Sequence, residues 1–183
     1  MPRGGTWIQR SRVPLSFVCA ALFLLFARPR PITLLAGVTI SVFGLVLRAW
    51  ASGHIRKNSA LATSGPYAYT RNPLYLGNFL LGLGFTIGSG WWPLGILFGL
   101  LFLGIYLPVM RVESETLVQL FGDSYLRYAR GVPLFLPRVT PYRNGEHKTE
   151  FDSSLYMRYR EYRASLGLVV AWGLLVFKAY YLK

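Results

Sequence analysis

The residues in this chain that could do chemistry lie in two short blocks. The first reads LATSGPYAYTRNPLYLG, Leu61 to Gly77, and carries Gly65-Pro66-Tyr67, then Arg71-Asn72-Pro73, then Tyr75 and Gly77. Gly-Pro sets a turn with a fixed backbone. Pro73 bars a helix from running back through Asn72 and suits the first turn of a new one. A rigid, partly non-helical segment therefore ends where an apolar helix begins. At the edge of a membrane such backbone persists only where it lines a cavity or is buried in protein. It reads either as one wall of a binding site or as a plain loop between two spans. The second block centres on Glu113, which the helical spacing puts on a face with Leu117, Leu120, Phe121, Ser124 and Tyr128. A carboxylate on an apolar face needs a partner or a cationic ligand. Arg111, two positions earlier, points elsewhere on a regular helix. It is spaced to pair with Glu115 as an ordinary surface pair, or to take a functional role of its own.

The elements that must position these blocks are apolar. Hydrophobic residues make up 53% of the 183, and mean hydropathy is +0.37. With several long apolar runs, this predicts an all-α integral membrane protein. About five transmembrane helices are expected, with one cytoplasmic amphipathic helix. Residues 14–27 read as a short first span, with a signal peptide as the alternative. Ile32–Ala51 is the second span, and its Arg48 can reach the interface along its aliphatic stem. Leu74–Ile87 is a short, Gly-rich third helix, closed by a tight turn at Gly88-Ser89-Gly90. Trp91–Met110 is the fourth span and forms a hairpin with the third. Arg111–Arg130 is the amphipathic helix, stopped by Gly131 and Pro133, and Val132–Pro137 is an apolar strip bounded by prolines. Pro141–Asp152 reads as a polar, mobile segment. Leu155–Arg163 reads as a basic helix running into a fifth span, Ser165–Leu182. The whole, 1–183, reads as one domain with a motif-bearing core at 52–137.

The net charge of +13 could suggest nucleic acid, but the basic residues are spread between the apolar runs, which fits topology and contact with membrane lipids instead. With the N-terminus in the cytoplasm, 16 of the 20 basic residues and all 7 acids fall inside. Both blocks then share one side of the membrane. A bacterial inner membrane is the expected location. Cys19 is the only cysteine, so no internal disulfide can form, and with two histidines an ordinary metal site is not expected. His54 reads as a solvated loop histidine rather than a general base.

GPYAYTRNPLYLG, followed further on by RVESETLVQLFGDSYLRYARGVP, resembles the isoprenylcysteine carboxyl methyltransferase family and the related phospholipid N-methyltransferases. The likeness spans Ser52 to Pro137 and rests on two multi-residue blocks in order. It implies a multi-span methyltransferase using S-adenosylmethionine, held at the cytoplasmic end of the later spans. By position it implies that Leu61, Ala62, Tyr67, Asn72, Pro73, Leu74 and Tyr75 line the cofactor pocket. Glu113 would then face the cationic cofactor, and Arg111 would touch the substrate. Tyr67 and Tyr75 could stack on adenine or face the sulfonium, or serve as interfacial anchors. Arg71 could hold the cofactor carboxylate or a headgroup phosphate, or cap the loop. Tyr125 and Tyr128 read as packing or interface residues. Phe135 and Pro137 could border an entrance from the bilayer. Ser114 stands in place of a second Glu, and Asn72 where many members have His; the first departure bears on substrate type. The implied acceptor is lipidic or hydrophobic. Carboxyl O-methylation is the leading form, amine N-methylation is the alternative, and a sterol-reductase-like enzyme is the more remote one.

Overall fold

The computed structural model describes residues 21–23, 25–56, 59–143 and 150–181. These hold helices and turns and no strand. The helices are α1 (Pro31–Ser52), α2 (Pro73–Ser89), α3 (Pro93–Gly131), α4 (Ser153–Arg158) and α5 (Tyr162–Tyr181), with a 3-10 turn at Gly65–Ala68. Of these, α1, α3 and α5 are long and apolar enough to cross a membrane. α2 has 17 residues, about 25 Å at 1.5 Å per residue, against a hydrocarbon core of about 30 Å. The expected first span at 14–27 lies largely outside the described residues.

Helices α1, α2 and α3 each start on a proline, where the missing N–H costs no hydrogen bond. The start of α1 is closed by Thr33, whose hydroxyl accepts from the Arg30 N–H at 3.0 Å. Buried positions on α1 include Leu34, Gly37, Ser41 and Gly44, a stripe at steps of three and four. This stripe meets the Gly77–Gly84 face of α2 so closely that a Cβ on Gly44 would lie 2.7 Å from the Gly77 carbonyl. Small residues let two apolar helices approach to backbone contact and gain dispersion energy where lipid offers no hydrophobic drive. Trp172 of α5 closes the groove. Its ring stacks on Phe85 with centroids 4.8 Å apart, in a core with Leu34, Leu168 and Leu175. Between α2 and α3 the packing is aromatic instead. Phe79 meets Phe98, Phe102 and Phe135 at 5.7, 4.9 and 5.7 Å.

Three expected boundaries move. No break separates a span from an amphipathic helix at Arg111; α3 runs 39 residues through Pro108, and its one non-helical residue is Gly122 at φ 51, ψ −128. Glycine tolerates that backbone because it has no Cβ. Helix α2 likewise runs through Gly88 and Ser89, and only Gly90, at φ 65, leaves it. The basic helix expected at Leu155–Arg163 is instead interrupted, with Arg160 at φ 56 between α4 and α5. Beside that break Glu161 meets Arg48, with its Oε1 and Oε2 accepting from Nη2 at 3.0 and 2.7 Å. Arg48 also donates to the Asn78 side chain. It thus ties α1 to α2 and to the start of α5, where the sequence alone suggests a side chain reaching for the interface. The expected mobile segment, 141–152, lies outside the described residues at 144–149. Its flanks are held: the Tyr142 N–H donates to the Ala68 carbonyl at 2.9 Å and the Asp152 N–H to the Gly53 carbonyl at 3.0 Å.

Candidate functional site

The Gly-Pro-Tyr segment and the proline strip are irregular, so their backbone groups need partners outside a helix. They find them in each other. The Arg71 N–H donates to the Pro133 carbonyl at 2.9 Å, and the Arg138 N–H to the Tyr69 carbonyl at 2.9 Å. Thr70 donates its hydroxyl to the Phe135 carbonyl at 2.8 Å, and Asn72 its side-chain amide to the Leu134 carbonyl at 2.9 Å. From α3, the Tyr128 hydroxyl donates to the Tyr67 carbonyl at 2.7 Å. Two segments distant in sequence are thereby fixed edge to edge, with Pro66, Tyr67, Ala68 and Thr70 buried.

A cavity of about 200 Å³ opens between this wall and α3. Leu61, Ala62, Tyr67, Arg71 and Asn72 line it from the wall, and Glu113, Ser114, Leu117, Phe121, Tyr125 and Tyr128 from the helix. Ile55, Arg56 and Ala60 complete it. Of the residues singled out from the sequence, Leu61, Ala62, Tyr67, Arg71, Asn72 and Glu113 come together here. Arg111, Pro73, Leu74 and Tyr75 do not line it. Tyr75 packs edge-on against Tyr106 at 5.6 Å, and Arg111 is exposed.

Of the α3 face read in the sequence, Glu113, Leu117, Phe121 and Tyr128 line the cavity, and Ser114 and Tyr125 join them. Ser114, Leu117, Phe121, Tyr125 and Tyr128 face inward, while Leu120 and Ser124 are exposed. Glu113 is largely exposed yet borders the cavity, so its carboxylate keeps water while facing the interior. Tyr125 and Tyr128 belong to the wall rather than to packing alone. Steps of three and four from Ser114 were the signal that could have found them.

The electrostatics are mixed. Arg56, Arg71 and Glu113 share the space. Arg71 donates through Nη1 to the Tyr125 hydroxyl at 3.2 Å, and its guanidinium lies 6.0 Å from that ring. Its Nε is buried and, among the described residues, has no hydrogen-bond partner. A buried charged donor left unpaired is costly, so this one is set to meet an acceptor. Burial pushes the Tyr67 phenol well above its ordinary range, with Tyr128 and Glu113 adding to the shift, so it stays neutral. The arrangement can hold a ligand that bears a cation toward Glu113, an anion toward Arg71 and a flat apolar part among Leu61, Leu117 and Phe121.

His54 is not a solvated loop residue. It is 7% exposed, with Nδ1 2.9 Å from the Trp50 carbonyl. The turn after Ser52 folds back rather than out, which buries the ring beneath the Gly-Pro-Tyr segment.

A family model described as phospholipid methyltransferase matches residues 32–124. The cobalt-zinc-cadmium resistance protein CzcN of Cupriavidus metallidurans is 35% identical over 92% of this chain and 79% of its own length. The nickel-cobalt-cadmium resistance protein NccN of Alcaligenes xylosoxydans is 37% identical over 59% of this chain and 50% of its own length. The protein-S-isoprenylcysteine O-methyltransferase of Schizosaccharomyces pombe is 36% identical over 45% of this chain and 35% of its own length. The chain thus spans half or less of the last two relatives. No solved structure matches it.

Proposed function

The chain belongs to the phospholipid methyltransferase family, and on that premise we propose that it transfers a methyl group from S-adenosylmethionine to a lipidic or hydrophobic acceptor at the cytoplasmic membrane face. Family membership makes it a membrane methyltransferase; the donor, the acceptor and the residues that hold them are the proposal. The observation that carries it is the cavity in which Glu113 and the unpaired Arg71 Nε face one space from two separate segments.

When bound, S-adenosylmethionine supplies an electrophilic methyl group on a sulfonium, which the lone pair of an acceptor displaces in line. The chain's part is to orient and to exclude water. Glu113 supplies a countercharge for the cationic groups. Arg71 offers its free Nε–H to a carboxylate. Tyr67, neutral and buried, and Phe121 present aromatic surface, and Leu61, Ala62 and Leu117 make the apolar floor. Asn72 fixes the wall through Leu134 rather than needing to touch the ligand. Pro73 and Leu74 start α2 immediately behind it, and Tyr75, packed on Tyr106, supports that start from outside the cavity lining. Arg111, exposed beside Glu113, is proposed as a contact for the acceptor from outside the cavity.

With Arg71 turned to the donor carboxylate, Arg56 remains as a second guanidinium in the cavity and favours an acceptor that carries negative charge. This supports carboxyl O-methylation, as in the isoprenylcysteine enzymes, over N-methylation of an amine headgroup. The five-span layout with a cytoplasmic N-terminus, in a bacterial inner membrane, belongs to the same proposal. Membranes containing the protein are incubated with S-adenosylmethionine labelled in its methyl group, and the lipid-extractable product is treated with base. Release of labelled methanol supports an ester; a base-stable product supports the amine. Saturable NADPH binding without S-adenosylmethionine binding would overturn both in favour of a reductase.

A further inference from the structure

We infer that His54 is a positioning residue: it sets the Gly-Pro-Tyr turn that presents Tyr67 to the donor cavity, and it is itself held from behind by Phe151. The inference rests on the reading of that cavity as the donor site.

The imidazole is fixed on three sides. The Trp50 carbonyl can only accept, so Nδ1 carries the proton of the 2.9 Å contact. The Trp50 ring stands edge-on at 6.2 Å and the Phe151 ring lies at 6.1 Å. On the fourth side the ring abuts Gly65. A Cβ there would fall 2.6 Å from His54 Nε2, closer than real side chains come. Gly65 also sits at φ 58, the left-handed region that glycine enters without penalty. Gly65 is therefore glycine for two reasons, its backbone and the ring beneath it. The next residues form the 3-10 turn, whose amides close on Ser64 and Pro66. A ring under Gly65 thus acts on Tyr67 through one rigid turn.

His54 does not line the cavity, although its neighbours Ile55 and Arg56 do. The edge of its ring carrying Cδ2 and Nε2 abuts Gly65, so its part is to hold the turn. Phe151 comes from beyond the residues the family model matches. It docks on Gly53, where a Cβ would collide with its ring, and the adjacent Asp152 N–H donates to the Gly53 carbonyl at 3.0 Å. The far end of the chain thus braces the ring that braces the site.

The test compares the full-length wild type with His54→Ala, His54→Phe and Phe151→Ala in lipid nanodiscs. Amide exchange across Gly65–Tyr69 is followed by mass spectrometry without ligand, and S-adenosylmethionine binding is measured separately, well below each unfolding temperature. His54→Ala should speed exchange in the turn and weaken binding, each about tenfold. His54→Phe, which keeps a ring under Gly65, should recover most of both, and Phe151→Ala should fall between. A merely structural role would lower the unfolding temperature without moving affinity in the folded state, and that result overturns the inference. So does unchanged exchange in both His54→Ala and Phe151→Ala. So does an affinity loss that His54→Phe does not recover while the turn stays protected, because His54 would then touch the ligand itself. If the wild type binds no S-adenosylmethionine, the donor reading fails, and the exchange data alone decide whether His54 sets the turn.

Discussion

The helical scaffold and the cavity wall are built on opposite principles. Between α1 and α2 the side chains shrink until backbones touch, and the polar groups there are few: the Ser41 hydroxyl against Gly84, the Thr33 hydroxyl reaching the Gly88 carbonyl, and Arg48. At the wall, by contrast, regular structure stops, and order comes from side chains and amides that bond across gaps in sequence: Thr70 to Phe135, Asn72 to Leu134, Tyr128 to Tyr67. The first region tolerates no added volume. The second tolerates few lost hydrogen bonds. A scaffold of the first kind is rigid enough to carry a wall of the second kind, whose irregular backbone leaves groups free to face a ligand.

This contrast can be broken from either side. The largest effect is expected from Gly44→Leu, which forces a side chain against the Gly77 carbonyl; loss of about 3 kcal/mol or more should show as a collapse of the thermal unfolding midpoint in detergent. Arg48→Ala leaves the Glu161 side chain, 13% exposed, without its ion-pair partner and should cost about 3 kcal/mol in the same assay. Glu113→Gln should leave stability alone and weaken S-adenosylmethionine binding by about 1.5–3 kcal/mol, the span for a hydrogen bond to a charged group, as read by calorimetry. Thr70→Val removes two bonds from the wall, the one its hydroxyl donates to the Phe135 carbonyl and the one it accepts from the Asn72 N–H. It should cost about 1 kcal/mol and raise proteolysis within the 132–137 strip before it lowers the midpoint. The smallest effect lies at high pH. The phenol of Tyr67 ionises above its ordinary range in the folded chain, whereas the unfolded chain releases that proton near pH 10. The unfolded state then binds fewer protons, so stability is flat below about pH 10 and falls above it. Tyr67→Phe should remove part of that alkaline slope.

The scaffold was legible because its signals are local. Prolines at 31, 73 and 93 and runs of apolar residues mark where helices begin, and the glycines of α2 announce close packing. The failures sit where local signals compete with distant contacts. The charge at Arg111 suggested the end of a span, but a helix has no reason to break at a change of polarity, and α3 continues until Gly122 permits a non-helical backbone. On the inward face of the helix, Glu113, Leu117, Phe121 and Tyr128 follow the spacing, whereas Leu120 and Ser124 are exposed and Ser114 and Tyr125 face the cavity in their place. Likewise, Arg56 joins the cavity through folding of the 52–64 loop, which no spacing encodes. His54 was missed for the same reason. Its ring lies under Gly65 and is flanked by Phe151, almost a hundred residues away.

The claim that most depends on this geometry is that one donor spans both walls of the cavity. Ultraviolet crosslinking of tritiated S-adenosylmethionine to the protein in membranes, followed by peptide mapping, tests it directly. The account predicts label on two peptides, one containing Tyr67 and one from the Glu113–Tyr128 part of α3, both lost on competition with unlabelled donor. Label confined to other segments, or insensitive to the competitor, would contradict it.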